Sequence, residues 1–153
     1  MSYLFQIIET EYQPVLSVRT TTSIEEMPKL VGSVFSSIVS YIIAKGEEPV
    51  GPAFIAYNNM DMQNLNVEIG FPLQNAIEGE GDIVLRFIPA GKKAIGFHKG
   101  SYDKIGPVYE KLHTWLQQKG HESTGVAYEY YYNSPDEVSE SELLTKIEFV
   151  LKK

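Results

Sequence analysis

The residues best suited to chemistry stand in one stretch, Ala127-Tyr-Glu-Tyr-Tyr-Tyr-Asn133, where a single carboxylate is set among tyrosines. Aromatic residues favour a pleated, half-buried surface, so the stretch reads as a strand. Period-two alternation puts Ala127, Glu129, Tyr131 and Asn133 on one face and Tyr128, Tyr130 and Tyr132 on the other. A carboxylate between a small residue and a tyrosine suits a pocket for an organic cation, each cation-aromatic contact contributing about 0.5 to 2 kcal/mol. The ordinary alternative is a half-exposed strand whose glutamate points at water. Inside a pocket, desolvation raises the Glu129 pKa unless a hydroxyl or amide supports the carboxylate, and Tyr57 or Tyr131 is placed to do so. A carboxylate tuned in this way can also activate water as a general base.

Other chemistries find little support. His98, His113 and His121 fall on a strand, a helix and a loop, with no spacing that brings two to one ligand face, so no metal site is expected. The chain has no cysteine, hence no thiolate nucleophile and no disulfide framework. No hydrolase-type serine elbow is visible. The loop Ile77-Glu-Gly-Glu-Gly-Asp82 lacks the lysine and glycine spacing that cradle phosphate. A cation pocket needs no cofactor. The formal charge of -7, with scattered lysines and arginines, argues against a nucleic-acid backbone or an anionic membrane as partner. The first residues show neither a basic start nor a long apolar core, so a cytoplasmic protein without signal peptide or membrane span is expected.

The elements that must position Glu129 follow from periodicity. Residues 3 to 9 and 14 to 20 read as strands paired in a hairpin about Tyr12-Gln13-Pro14. Ser23 with Glu26 forms a capping box, and Met27, Leu30, Val31, Val34, Phe35, Ile38 and Ile42 give one apolar helix face ending at Lys45-Gly46. The other flank, Gly32, Ser33, Ser36, Ser37 and Ser40, is uncharged, which suits either close packing on another chain or a plain polar surface. Strands are expected at 53 to 58, 65 to 71, 83 to 89 and 93 to 99, the last two joined by the turn Pro89-Ala-Gly-Lys92. A second helix runs from about Tyr102 to Lys119, with Ile105, Val108, Tyr109, Leu112 and Leu116 on one face and Gly120 as its stop. The Glu129 strand and a last one at 144 to 150 complete the chain.

The order strand, strand, helix, strand, strand therefore occurs twice, with halves at about 1-75 and 82-153 of a single 153-residue domain. Gly51 matches Gly125, Phe54 matches Tyr128, Tyr57 matches Tyr131 and Asn59 matches Asn133, while Val15-Leu-Ser-Val-Arg19 matches Ala94-Ile-Gly-Phe-His98. The expected architecture is α+β, antiparallel strands carrying two helices about a pseudo-twofold axis, with a ligand cleft at the junction. Glu129 matches Ile55, so the carboxylate breaks the symmetry of otherwise apolar and aromatic strands.

These features resemble the GyrI-like small-molecule-binding domains, which also serve as effector-binding domains of AraC-type and MerR-type bacterial regulators. The resemblance spans nearly the whole chain. It rests on the duplicated order, on Gly51-Pro-Ala-Phe-Ile-Ala-Tyr57, Val67-Glu-Ile-Gly-Phe-Pro72 and Gly100-Ser-Tyr102, on Trp115, and on Tyr128-Glu-Tyr-Tyr131 followed by Asn133-Ser-Pro135. It implies that Glu129 is the pocket glutamate, that Tyr57 and Tyr131 are its aromatic companions, and that Ile55, Ala127 and Trp115 border the ligand. It further implies a stand-alone effector- or drug-binding protein, since no DNA-reading helix-turn-helix precedes the domain. Two other activities stay open: hydrolysis of small electrophiles with Glu129 as base, and a protein-interaction role resembling that of a DNA gyrase inhibitor.

Overall fold

A computed structural model describes residues 5-152 of the chain. Its elements are β1 (Gln6-Thr10), β2 (Gln13-Thr22), α1 (Met27-Ala44), β3 (Ala53-Tyr57), β4 (Leu65-Pro72), β5 (Val84-Ile88), β6 (Gly91-Lys99), α2 (Gly106-Lys119), β7 (Ser123-Tyr131) and β8 (Leu144-Leu151). Short 3-10 turns at Tyr102-Lys104 and Glu140-Glu142 precede α2 and β8. The fold is thus α+β, and the strands pair antiparallel. The chain divides into two compact units, Tyr12-Pro89 and Met1-Glu11 with Ala90-Lys153. Within the first, the strand order is β3-β4-β2-β5; within the second, β1-β6-β8-β7.

The expected hairpin between the first two strands does not form. β1 pairs with β6, from Gln6 opposite Ile95 to Thr10 opposite Gly91, while β2 pairs with β4 and β5. Residues 3 and 4 of the expected strand lie outside the described residues. The reason is where each strand's apolar face finds a helix. Phe5 and Ile7 pack on the core of α2, whereas Leu16 and Val18 pack on that of α1. For the same reason the turn after Pro89 joins strands of separate units and makes no hairpin of β5 and β6.

Register within each unit can be set against the internal likeness of the sequence. Ile55 and Tyr57 oppose Ile69 and Val67 on β4, and Glu129 and Tyr131 oppose Ile147 and Thr145 on β8. Residues 55 and 57 thus share one face of β3, as residues 129 and 131 share one face of β7. The match of β2 to β6 needs correction by one residue. Val18 opposes Ile69 as Gly96 opposes Ile147, so Val18 corresponds to Gly96, where sequence matching set it against Phe97. One residue matters because it exchanges the two sheet faces. With the structural register, Leu16 and Ala94 both face their helix.

In the Tyr12-Pro89 unit, α1 buries Ile38 and Ile42 against Leu16 and Leu73, and Phe35 meets the Phe71 ring edge-on at 5.3 Å. A fully buried aliphatic side chain of this kind contributes about 1.5 to 3 kcal/mol. α1 has the length and composition of a membrane span, 18 residues of mean hydropathy 1.4, and packs one face on the core through Ile38 and Ile42. Its start is later than the capping box suggests. Ser23 Oγ does accept the Glu26 amide at 3.3 Å, yet the helix begins at Met27, with Pro28 in its first turn. Beneath the sheet, Gly70 leaves room for its neighbours: a Cβ there would lie 2.5 Å from the Leu16 carbonyl oxygen and 2.8 Å from Ser17 Cβ. Gly70→Ala is therefore expected to destabilise the protein by about 1 to 3 kcal/mol in urea denaturation. A cost below a few tenths would mean that β2 and β4 can move apart.

In the second unit, Val108, Leu112 and Leu116 of α2 pack on Ala94, Ala127, Ile147, Phe149 and Leu151. The helix expected from Tyr102 is broken into a 3-10 turn and α2, whose first turn contains Pro107. Gly120, with φ of 77° in the left-handed region, ends it.

Candidate functional site

Glu129 projects from β7 toward α2, on the face that also carries Ala127 and Ile147 of the core. It is 8% exposed. Its carboxylate accepts two phenolic hydroxyls, that of Tyr131 at 2.6 Å on Oε1 and that of Tyr109 on Oε2. Tyr131 is two residues along the same strand face. Tyr109 comes down from α2, where its ring also leans on Phe149 at 5.6 Å. Among the described residues no lysine or arginine pairs with Glu129. Burial pushes its pKa above the ordinary carboxylate value, and the hydrogen bonds from Tyr109 and Tyr131 and the field of His98 only partly oppose that.

The next rung outward is polar as well. His98, Thr145 and Tyr131 lie side by side across β6, β8 and β7. His98 is buried with Nε2 2.8 Å from the Ser101 carbonyl oxygen, and Tyr102 packs edge-on against Tyr131 at 5.8 Å. Burial and the Glu129 charge push the Tyr102 pKa up, so this phenol stays neutral. Thr145 Oγ1 is buried with no hydrogen-bond partner among the described residues. Buried hydroxyls are seldom left unpaired, and this one offers a polar anchor for a water or a ligand atom.

Of the residues singled out in the sequence, the structure brings Tyr131 to Glu129. Ala127 lies on the same face and is packed into the α2 core. The ring of Trp115, also on α2, meets Phe5 at 5.8 Å, and the residue borders a groove with Pro107, Glu110, Lys111, Thr114 and Gln118. Ile55 is buried and Tyr57 half-buried on β3 of the Tyr12-Pro89 unit. Sequence reasoning missed Tyr109 as a site residue, because it falls on the apolar stripe of α2 and reads there as packing. The available signal was its hydroxyl, which needs a partner once the ring is buried. Tyr109→Phe is expected to cost about 1.5 to 3 kcal/mol at pH 8, where the carboxylate loses a charged hydrogen bond, and less at pH 4. An equal loss at both pH values in urea denaturation would show that the Tyr109 hydroxyl does not serve the ionised carboxylate.

The family pattern of the GyrI-like small molecule binding domain matches residues 5-152, and the chain belongs to that family. No curated protein sequence matches it. Among solved structures it is similar to EcmrR in its DNA complex, at 23% identity and a TM-score of 0.87, with 99% of this chain matched to 58% of that one. The chain thus spans a little over half the length of EcmrR. The EcmrR C-terminal domain by itself is matched over 99% of its length, covering 100% of this chain at 22% identity and a TM-score of 0.80. A hydrolase from Listeria innocua shares 13% identity over 97% of this chain and 91% of that one, with a TM-score of 0.72. SAV2435 bound to tetraphenylphosphonium shares 11% identity over 99% of this chain and 94% of that one, with a TM-score of 0.63. These likenesses are of fold.

Proposed function

We propose that this chain is an effector- or drug-binding protein whose Glu129 pocket takes an amphipathic organic cation. The observation that carries the reading is a buried carboxylate answered by phenols and by no lysine or arginine among the described residues. Such a group is left short of positive charge. A ligand cation supplies it, with the rings of Tyr109, Tyr131 and Tyr102 as apolar walls and Thr145 Oγ1 as a second polar contact. Binding of tetraphenylphosphonium by SAV2435 supports a lipophilic cation as the ligand class. The presence of EcmrR in a DNA complex supports a regulatory setting. The test is calorimetric titration with tetraphenylphosphonium and with triphenylphosphine oxide, its uncharged relative. The cation is expected to bind tighter by about tenfold or more, and equal affinities would remove the carboxylate from the reading. Native mass spectrometry of freshly purified protein then identifies any retained ligand.

The raised pKa of Glu129 favours one further reading, a hydrolase in which it takes a proton from water attacking a small electrophile. The Listeria innocua hydrolase supports it at the level of fold. Turnover of small epoxides that disappears in Glu129→Gln would select this reading over simple binding.

A further inference from the structure

The sheet face of the Tyr12-Pro89 unit opposite α1 carries a second ionic cluster. Glu68 on β4 is 5% exposed and accepts Ser17 Oγ at 2.7 Å and Arg19 Nε at 3.2 Å. Arg86 Nη1 in turn donates to Ser17, at 3.0 Å to Oγ and 2.9 Å to the carbonyl oxygen. One carboxylate thus bonds the Arg19 guanidinium directly and acts on that of Arg86 through space. The cluster keeps an excess positive charge in a chain of formal charge -7. The two guanidiniums feel each other: burial and then the Arg19 charge lower the Arg86 pKa, with Glu68 acting against both.

Arg19 is unlike an ordinary surface arginine. Its Nε is fixed to a buried carboxylate, yet its side chain is 59% accessible and its Nη groups make no bond among the described residues. Arg19 borders a cavity of about 550 Å³ lined with it by Thr20, Thr21, Asn58 and Asn66, all polar and none acidic. Thr21 opposes Asn66 two residues beyond the rung where Arg19 opposes Glu68, so these side chains share one face. Asn58 donates to Asn66 Oδ1 at 3.3 Å, which leaves the Asn66 amide NH2 without a partner among the described residues. Asp61, in the loop between β3 and β4, is engaged by the Gln63 amide at 3.1 Å. Neutralising Glu68 requires only one cation, so the exposed Arg19 fork is surplus to the fold.

We propose that this cavity is a second binding site, for a small oxyanion such as a phosphate group or a carboxylate, gripped by the Nη pair of Arg19 with the Thr21 hydroxyl and Asn66 amide as neutral donors. The planar fork suits two parallel hydrogen bonds to one anionic group. The test is an amide NMR titration with inorganic phosphate, and separately with acetate, at ionic strength held constant with sodium chloride. Saturable shifts are expected at Arg19, Thr21, Asn58 and Asn66, weakened about tenfold or more in Arg19→Gln and less in Arg19→Lys, which keeps charge but loses the fork. The same spectra report whether each variant is folded. Stronger binding of phosphate assigns the site to phosphorylated ligands, and stronger binding of acetate assigns it to carboxylates. Absence of saturation with both anions, or equal shifts in wild type and a folded Arg19→Gln, overturns the proposal. Glu129→Gln should bind phosphate as wild type does, which keeps this test independent of the cation pocket.

Discussion

Glu129→Gln is expected to bind tetraphenylphosphonium about 10- to 150-fold more weakly than wild type at pH 7, because interactions with a charged group contribute about 1.5 to 3 kcal/mol. Stability should hold or rise. Burial outweighs the two phenolic hydrogen bonds, so the folded-state pKa of Glu129 lies above its ordinary value of 4.5. A group with a raised folded pKa contributes stability that is full below the unfolded pKa and is lost as pH rises through the folded one. The amide does not ionise and escapes that loss. Its advantage over wild type should thus be largest near pH 8 and shrink toward pH 4, as read from melting temperatures across that range. The same proton competes with the ligand, so wild-type affinity should begin to fall on acidification while still above the usual carboxylate range. A variant that is destabilised at pH 8 and binds undiminished would show that Glu129 is structural and not part of the pocket.

Glu148→Leu is expected to destabilise the protein by about 3 to 5 kcal/mol, the largest stability effect anticipated from the structure. Glu148 and Lys93 lie on the face of the second unit opposite α2, 3% and 1% exposed. Glu148 Oε1 is 3.9 Å from Lys93 Nζ, and Oε2 is 3.5 Å from Lys146 Nζ. Lys93 also donates to Thr10 Oγ1 at 2.6 Å, and Lys146 lies over the Tyr130 ring at 4.5 Å. Burial lowers the Lys93 pKa, Glu148 opposes that shift, and Lys146 adds to it. Removing the carboxylate takes the favourable Glu148 charge away from an ammonium that burial already disfavours. For a lysine with a lowered folded pKa the unfolded chain binds the proton more tightly, so stability rises as pH rises through the folded value. The cost of Glu148→Leu should accordingly be smaller at pH 10 than at pH 7. The double variant Lys93→Met/Glu148→Leu should recover most of it, since replacing both ions by apolar groups is often neutral. A loss under about 1 kcal/mol for the single variant in urea denaturation would mean that water reaches Lys93.

Both sites show the same division of labour between sequence and fold. The alternation around Glu129 reads directly: Tyr128 and Tyr130 stack at 6.1 Å on one face, while Glu129 and Tyr131 share the other. Such faces are local, since a strand's period of two is set by its own backbone. What the carboxylate touches is not local. Tyr109 reaches it from a helix 20 residues away in the chain, and on that helix it gives the same signal as a packing residue.

The amino-acid sequence by itself determined the two helices and eight strands of the described residues and the glycine stops at residues 46 and 120. Each of these follows from periodicity or turn chemistry within a short window. Only the tertiary structure decided that β1 joins β6, that Lys93 and Glu148 are buried as a pair, and that Arg19 is tied to a buried Glu68 with its fork left over. Those outcomes depend on which apolar face fills which helix and on how far water is excluded from each charge. Both are properties of contacts between distant segments, and no run of neighbouring residues encodes them.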